Sequence, residues 1–439
     1  MSVLFFYIIV GSILMIIKFN MHKIYSILIL IFIISTTPHS SYCTNLDQAL
    51  HAALSNNPNI KAKFYSYLGN KQKIKLNSIS KFLPSVTYLA ETYQPDLSLG
   101  NNNRTMRLIV TQQIFNGGAD AAALQQSKYL SNIEDFEFLS EQQNVVLNTV
   151  KAYMKVLTTA EVYKLTQHTK KVFTEHLTAT QKRFSLGEVT KTDVSLATAR
   201  LSSATSESIK AYGDMKAAEA NYIHIVGEIP IDLQHPTIPA IPSSVEEALT
   251  IAQQNNLALK ASHNGYQAAK QGALMAIANL LPSISISSIN SYTYTDTHNP
   301  LIDPKKIDHF FEIKMSLPIF QQGLNIAAIT QSKLAIKQKM YSHYEVLNAI
   351  KEAVVLNWEN ISTANSMLQA AQDSVKYSEV VLSGIKQEAE LNLRTVLDVL
   401  DAEQELLKAK VNLVNVQSNV VISMYNLLAL IGQLSTNYI

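Results

Sequence analysis

Residues 106–118 read MRLIVTQQIFNGG, and residues 311–323 read FEIKMSLPIFQQG. In the first, Met106, Leu108 and Val110 alternate with Arg107, Ile109 and Thr111. In the second, Phe311, Ile313, Met315 and Leu317 alternate with Phe310, Glu312, Lys314 and Ser316. A period of two marks a strand with one apolar face. An apolar face backed by Arg, Glu and Lys suits a strand lying between lipid and water. Met106, Leu108, Val110, Phe311, Ile313 and Met315 are therefore expected to face lipid. Each stretch follows a second alternating run, SVTYLAETYQ at 85–94 or SISISSINSYTYT at 283–295, so each copy reads as a β-hairpin. Taken alone, the feature also fits a soluble two-stranded flap on a helical protein.

The recurrence extends outward from the hairpins. LDQAL at 46–50 is echoed by VEEAL at 245–249, and NPNIKA at 57–62 by NLALKA at 256–261. Leu83-Pro84-Ser85 recurs as Leu281-Pro282-Ser283, Asp193 as Asp398, and Val226-Gly227 as Ile431-Gly432. The separation grows from 198 to 205 between Pro282 and Phe320, so about seven residues are inserted there, where a loop is expected. The chain reads as one unit duplicated in tandem: 44–227, a proline-rich connector at 228–244 (EIPIDLQHPTIPAIPSS), and 245–439.

Between hairpin and connector the period changes to that of a helix. Leu139, Val146, Val150, Tyr153 and Leu157 form a seam in the first copy; Leu347, Ile350, Val354, Trp358 and Ile361 form one in the second. No proline lies between Pro95 and Pro230, and none follows Pro318, which permits very long helices. A helix over 119–184 would be about 100 Å long; a return over 192–226 adds about 50 Å and a helix over 59–82 about 35 Å. Two shorter helices stacked end to end thus match the long one, which suits a tube wall.

Composition narrows the function. The 36 basic and 34 acidic residues nearly balance, so no excess of charge points to nucleic acid. Cys43 is the single cysteine, which excludes a disulfide framework and a cysteine metal site. After residue 43 no apolar run approaches the roughly 20 residues of a spanning helix. The eleven histidines show no metal spacing, and His168 and His176 are expected to be structural or exposed. Trp358 is expected in the core. No nucleophile elbow, P-loop, dinucleotide fingerprint or zinc-protease motif is present, so no enzyme and no cofactor are expected.

Residues 1–43 read as a signal segment, with Met21 an alternative start and cleavage after Cys43. Its alternatives are a two-helix inner-membrane anchor and lipidation of Cys43. Four strands per chain cannot close a barrel, and an open edge in lipid is not viable. The chain must therefore oligomerise, and three copies give twelve strands and room for an aqueous lumen.

These pieces together resemble the outer-membrane efflux proteins, the outer-membrane factors of tripartite pumps and type I secretion systems. The likeness rests on LPS after the first helix of each copy, QQIFNGG and LPIFQQG closing the hairpins, RFSLGEVTKTDVSLATARL and LNLRTVLDVLDAEQEL at the helix reversals, and the closing IVG and LIG. It implies an α+β, mainly α fold: a homotrimeric twelve-stranded barrel in the outer membrane, continuous with a periplasmic α-helical tunnel. It also implies a passive exit duct served by a periplasmic adaptor and an inner-membrane transporter, with drug efflux and protein secretion both open as cargo. The alternative is a structural or adhesive coiled-coil envelope protein without a channel.

The resemblance further implies a periplasmic gate. Asp398 and Asp401 would form an acidic ring, and Arg394 would latch onto Thr192 or Asp193 of a neighbouring helix pair. Where the family often has a latch tyrosine this chain has Ala389, and where it tends to have glycine this chain has Asn392. Leu186, Gly187, Glu188, Leu391, Asn392 and Leu393 would meet the adaptor.

Overall fold

The computed structural model describes residues 45–93, 103–295, 303–391 and 393–434. The signal segment with Cys43, the hairpin turns and Asn392 lie outside the described residues. Within them the chain forms α1 (Leu46–Asn56), α2 (Pro58–Ile79), β1 (Ser85–Tyr93), β2 (Asn103–Asn116), α3 (Ala119–Ser185) and α4 (Lys191–Val226). The same order then recurs as α5 (Val245–Asn255), α6 (Leu257–Ala278), β3 (Ser283–Thr295), β4 (Lys305–Ser316), α7 (Leu324–Glu390) and α8 (Val396–Leu430).

The long helices α3 and α7 each have 67 residues, hence about 100 Å. Helix α3 is flanked by α2 and α4 on one side and by α6 and α8 on the other, and α6 and α8 also pack against α7. Each long helix is thus matched by shorter helices laid end to end. Val146, Val150, Tyr153 and Tyr222 are fully buried where α3 meets α4, and Ile350, Val354 and Ile361 are buried along α7. Leu139, Leu157, Leu347 and Trp358 are only half-buried. Trp358 is thus not a core residue of the single chain, because α7 keeps one flank open, where Tyr341, Tyr377 and Val380 are exposed.

The expected helix over 59–82 is interrupted differently: α2 stops at Ile79 and a single 3-10 turn carries Ser80–Phe82 to the strand. The paired asparagines of the repeat explain a second break. Asn57 caps α2 by accepting from the Asn59 N–H, while its own amide donates to the Ile225 carbonyl at 2.8 Å. Asn256 caps α6 by accepting from the Leu259 N–H and donates to the Leu430 carbonyl at 2.8 Å. One side chain therefore satisfies an orphan donor at a helix start and an orphan acceptor at the end of the return helix. Gly432, with φ +72°, closes the same corner in the second copy; a Cβ there would lie 2.5 Å from the Asn255 carbonyl oxygen.

The four strands form one antiparallel sheet in the order β1-β2-β3-β4. Facing residues share a face of the sheet, so register assigns both faces. Val86, Tyr88 and Ala90 pair with Val110, Leu108 and Met106, and Ile286 and Ile284 pair with Ile313 and Met315; this face is largely apolar, interrupted by Gln112, Ser288 and the hydrogen-bonded Asn290 and His309. The other face carries Arg107 beside Glu91 at 3.5 Å and Thr111 beside Ser287 at 3.1 Å. One row on it is apolar, Ile109, Ile289 and Phe310. The outer edges of β1 and β4 pair with no strand among the described residues.

One detail differs from the sequence expectation. Strand β4 ends at Ser316 rather than running to Phe320, because Pro318 has no N–H to give a ladder. Helix α8 is also apolar and long enough to cross a membrane by length and composition. Its apolar positions, Val399, Leu406, Val420 and Leu427 among them, are instead buried in packing against α7 and α3.

The junctions from hairpin to long helix are not equivalent. Gly117 has φ +56°, and a Cβ on it would lie 2.4 Å from the Ala278 carbonyl oxygen. Its counterpart is Gln322, a non-glycine residue held at φ +54°.

Candidate functional site at the helix reversals

Both reversals are built to one plan. In the first, Thr190 caps α4: its Oγ1 accepts from the Asp193 N–H at 3.3 Å, while its N–H and Oγ1–H both donate to Asp193 Oδ2 at 2.8 Å. In the second, Thr395 caps α8 in the same way with Asp398, at 3.2, 2.9 and 2.8 Å. These are reciprocal capping boxes with Asp at the third helical position. The bonds from Thr190 hold the Asp193 carboxyl below the ordinary carboxylate range; those from Thr395 do so for Asp398, with a smaller contribution from Arg394. The Thr-x-x-Asp spacing was visible in both tips and signals these caps without any family knowledge.

Each tip also carries an internal ion pair. Arg183 Nε lies 3.1 Å from Glu188, and Arg394 Nε lies 2.7 Å from Glu388. The expected contact of Arg394 with Thr192 or Asp193 is not made within the chain. Glu388 reaches across the tight reversal to Arg394, and the Asp193 carboxylate is occupied by its own cap. Thr192 is exposed in the first turn of α4. Arg394 and Asp193 do border the same cavity of about 650 Å³, together with His176, Arg183 and Lys386.

Packing beneath the tips joins the two helix pairs. Phe173, Ala204 and Leu400 form a buried cluster across α3, α4 and α8. Leu382, Val399, Ala402 and Leu406 form another between α7 and α8, and Ala389 packs against it. The Lys386–Glu403 pair lies at 2.6 Å, with the Glu403 side chain only 8% exposed. Burial pushes the neighbouring His176 imidazole below its ordinary value, opposed by Glu403 and reinforced by Lys386.

Asp398 and Asp401 share a groove with Ser374, Tyr377, Arg394 and Glu405. Asp401 is not free in it: its Oδ1 lies 2.7 Å from Arg200 Nη2 of α4. Arg200 is the residue that sequence reasoning missed. No local signal pairs positions 201 apart, so only the fold could bring them together. At the extremities Leu186, Gly187, Glu188, Leu391 and Leu393 are exposed. Among the described residues no group of three or more His, Cys, Asp or Glu could hold a metal.

Residues 49–228 and 248–433 match the family described as "Outer membrane efflux protein". The chain is 27% identical to "Outer membrane efflux protein BepC" of Brucella suis over 76% of this chain and 73% of that one. It is 25% identical to "Outer membrane protein TolC" of Escherichia coli over 90% of this chain and 83% of that one. Its fold is that of the solved CusC, a protein described in terms of transmembrane channel formation, with TM-score 0.77 at 15% identity over 91% of this chain and 95% of that one.

Proposed function

Because this chain belongs to the outer membrane efflux protein family, we propose that three copies close into one outer-membrane duct. The barrel would have twelve strands and the periplasmic tunnel twelve helix columns, built from two tandem copies per chain, 44–227 and 245–439, joined by 228–244. One observation carries this reading: a four-stranded sheet with one largely apolar face has two edges, at β1 and β4, that pair with no strand among the described residues. In lipid each unpaired backbone group costs several kcal/mol, so the edges must find partners. The β4 edge of one chain would meet the β1 edge of the next, and the open flanks of α7 and of α2 with α4 would meet likewise.

The duct is passive: an inner-membrane transporter and a periplasmic adaptor supply cargo, and the adaptor meets the tips at Leu186, Gly187, Glu188, Leu391, Asn392 and Leu393. The apolar leucines there would bury on docking. Asp398 and Asp401 would face the axis at the narrow end, with Arg394, Thr192 and Asp193 around them. Both drug-like molecules and secreted proteins fit a duct whose wall does not select.

Mass measurement in mild detergent tests the assembly. Three chains per particle, with ion conductance in planar bilayers, is the expected result. A well-behaved monomer without conductance would end this reading.

A further inference from the structure

We propose that Arg200 sets the charge of the periplasmic constriction and clasps it shut: by holding Asp401 it ties α4 to α8 and leaves one acidic side chain per chain, not two, facing the axis. The inference rests on the placement of Asp398 and Asp401 at the constriction. It adds a residue and a sign that the placement alone does not contain.

The geometry is a built contact, not a chance encounter of surface chains. Arg200, Ala204 and Glu207 lie at helical spacing on one face of α4 and meet Leu400, Asp401 and Gln404 of α8. Ala204 is buried against Leu400, and its small side chain lets the two helices approach. Arg200 Nη2 reaches Asp401 at 2.7 Å on one side of that contact, and Gln404 Nε2 reaches Glu207 at 3.3 Å on the other. Arg200 Nε is buried without an acceptor. The guanidinium is therefore lodged between helices, and Asp401 is its one ion-pair partner among the described residues. Both side chains remain part-exposed, at 40% and 51%, so the pair can be broken by a helix displacement that would not break a buried one.

Of the ion pairs at the tips among the described residues, this one links the two helical hairpins. Arg394 is held by Glu388 of its own reversal, Arg183 by Glu188, and Asp398 by its cap. Lys386 and Glu403 join α7 to α8 within one hairpin. Moving α7 and α8 away from α3 and α4 must therefore separate Arg200 from Asp401. Opening would uncover a carboxylate on each chain, so an open constriction attracts cations more strongly than a closed one.

The test uses the full chain in planar bilayers, with Arg200→Gln, the pair Asp398→Ala with Asp401→Ala, and the exchange Arg200→Asp with Asp401→Arg. Trimer formation in mild detergent is checked for each. Arg200→Gln should raise conductance, shift the reversal potential toward cations, and lower the blocking concentration of hexaamminecobalt(III) about tenfold. That factor follows from a trivalent ion meeting three more unpaired charges at about 10 Å in water, partly screened by salt. The exchange should return conductance toward that of the unaltered chain, whereas Arg200→Asp alone should not.

If Arg200→Gln leaves conductance and block unchanged while the double alanine variant alters them, the clasp is refuted and the acidic ring stands. If the double alanine variant alters nothing, the ring itself is refuted. An exchange variant that behaves like Arg200→Asp alone would also overturn the pairing.

Discussion

Phe310 and Phe311 are adjacent, identical in type and opposite in direction, which makes them a test of the whole sheet assignment. Phe311 is paired with Ser288 on the apolar face, 71% exposed in the single chain; Phe310 is paired with Ile289 on the other, 56% exposed. Strand β4 has 12 residues, about 40 Å along its length and, with an ordinary tilt, about 30 Å of membrane depth. Phe311 lies six residues from Lys305 and five from Ser316, hence close to the mid-depth of the bilayer. An arginine on the lipid face at that depth costs about 2–4 kcal/mol per chain, so Phe311→Arg should destabilise a three-chain barrel by about 6–12 kcal/mol in all. An arginine at 310 points to water and loses only contact with Ile289, a cost within about 1 kcal/mol per chain. Heat dissociation on semi-native gels, together with yield in the outer-membrane fraction, reads the difference. Phe311→Arg should abolish the trimer or lower its dissociation temperature steeply, and Phe310→Arg should leave it close to the parent. Equal losses at both positions would refute the two-faced sheet, and equal tolerance would make the hairpins a water-exposed flap.

Three further outcomes follow from the tips and corners. Thr395→Ala removes the cap of α8 and should cost about 1 kcal/mol locally, seen as roughly fivefold faster amide exchange at 396–399; unchanged exchange would mean that the cap does not hold the tip. Because burial lowers the His176 value, the folded protein holds that proton less tightly than the unfolded chain. The contribution is intact above about pH 6.5 and is lost as pH falls through the folded-state value; His176→Gln should flatten the pH dependence of tip exchange between pH 7.5 and 5, and a parallel slope would exclude His176. Gly432→Ala must place a Cβ 2.5 Å from the Asn255 carbonyl, whereas Gly187→Ala, with φ +79°, meets nothing within 4 Å. Both incur about 1–2 kcal/mol for the left-handed backbone, so the lower melting temperature of Gly432→Ala should isolate the clash.

The elements were readable because they repeat and because period two and period 3.6 differ sharply: β3 was delimited to the residue and α3 to within one. What sequence alone did not yield were the contacts that depend on which elements become neighbours. The partner of Asp401 lies on α4, far away in sequence, whereas the partner that Arg394 takes within the chain, Glu388, stands only six residues before it. The end of β4 could have been read from Pro318. The helix break at Asn57 and Asn256 needed the return helix beside it before the second half of each amide had a purpose. The capping boxes are legible as Thr-x-x-Asp in both tips, a local signal independent of the role that resemblance gives the aspartates.

The contrast between Gly117 and Gln322 bears on how such a ring could have arisen and could fail. A ring of three duplicated chains has six seams, half of them between copies that are tethered and half between copies that are not. In the proposed ring, the seam within a chain leaves room only for a glycine against Ala278, whereas Gln322 holds the matching place, which would lie at the seam between chains. Selection on a fused gene can refine the inner seam as one would refine the core of a monomer. The outer seam must instead stay forgiving enough for separately made subunits to find each other. Wear by mutation should accordingly accumulate first at Gln322 and its surroundings, and inherited defects of assembly should map there before they map to Gly117.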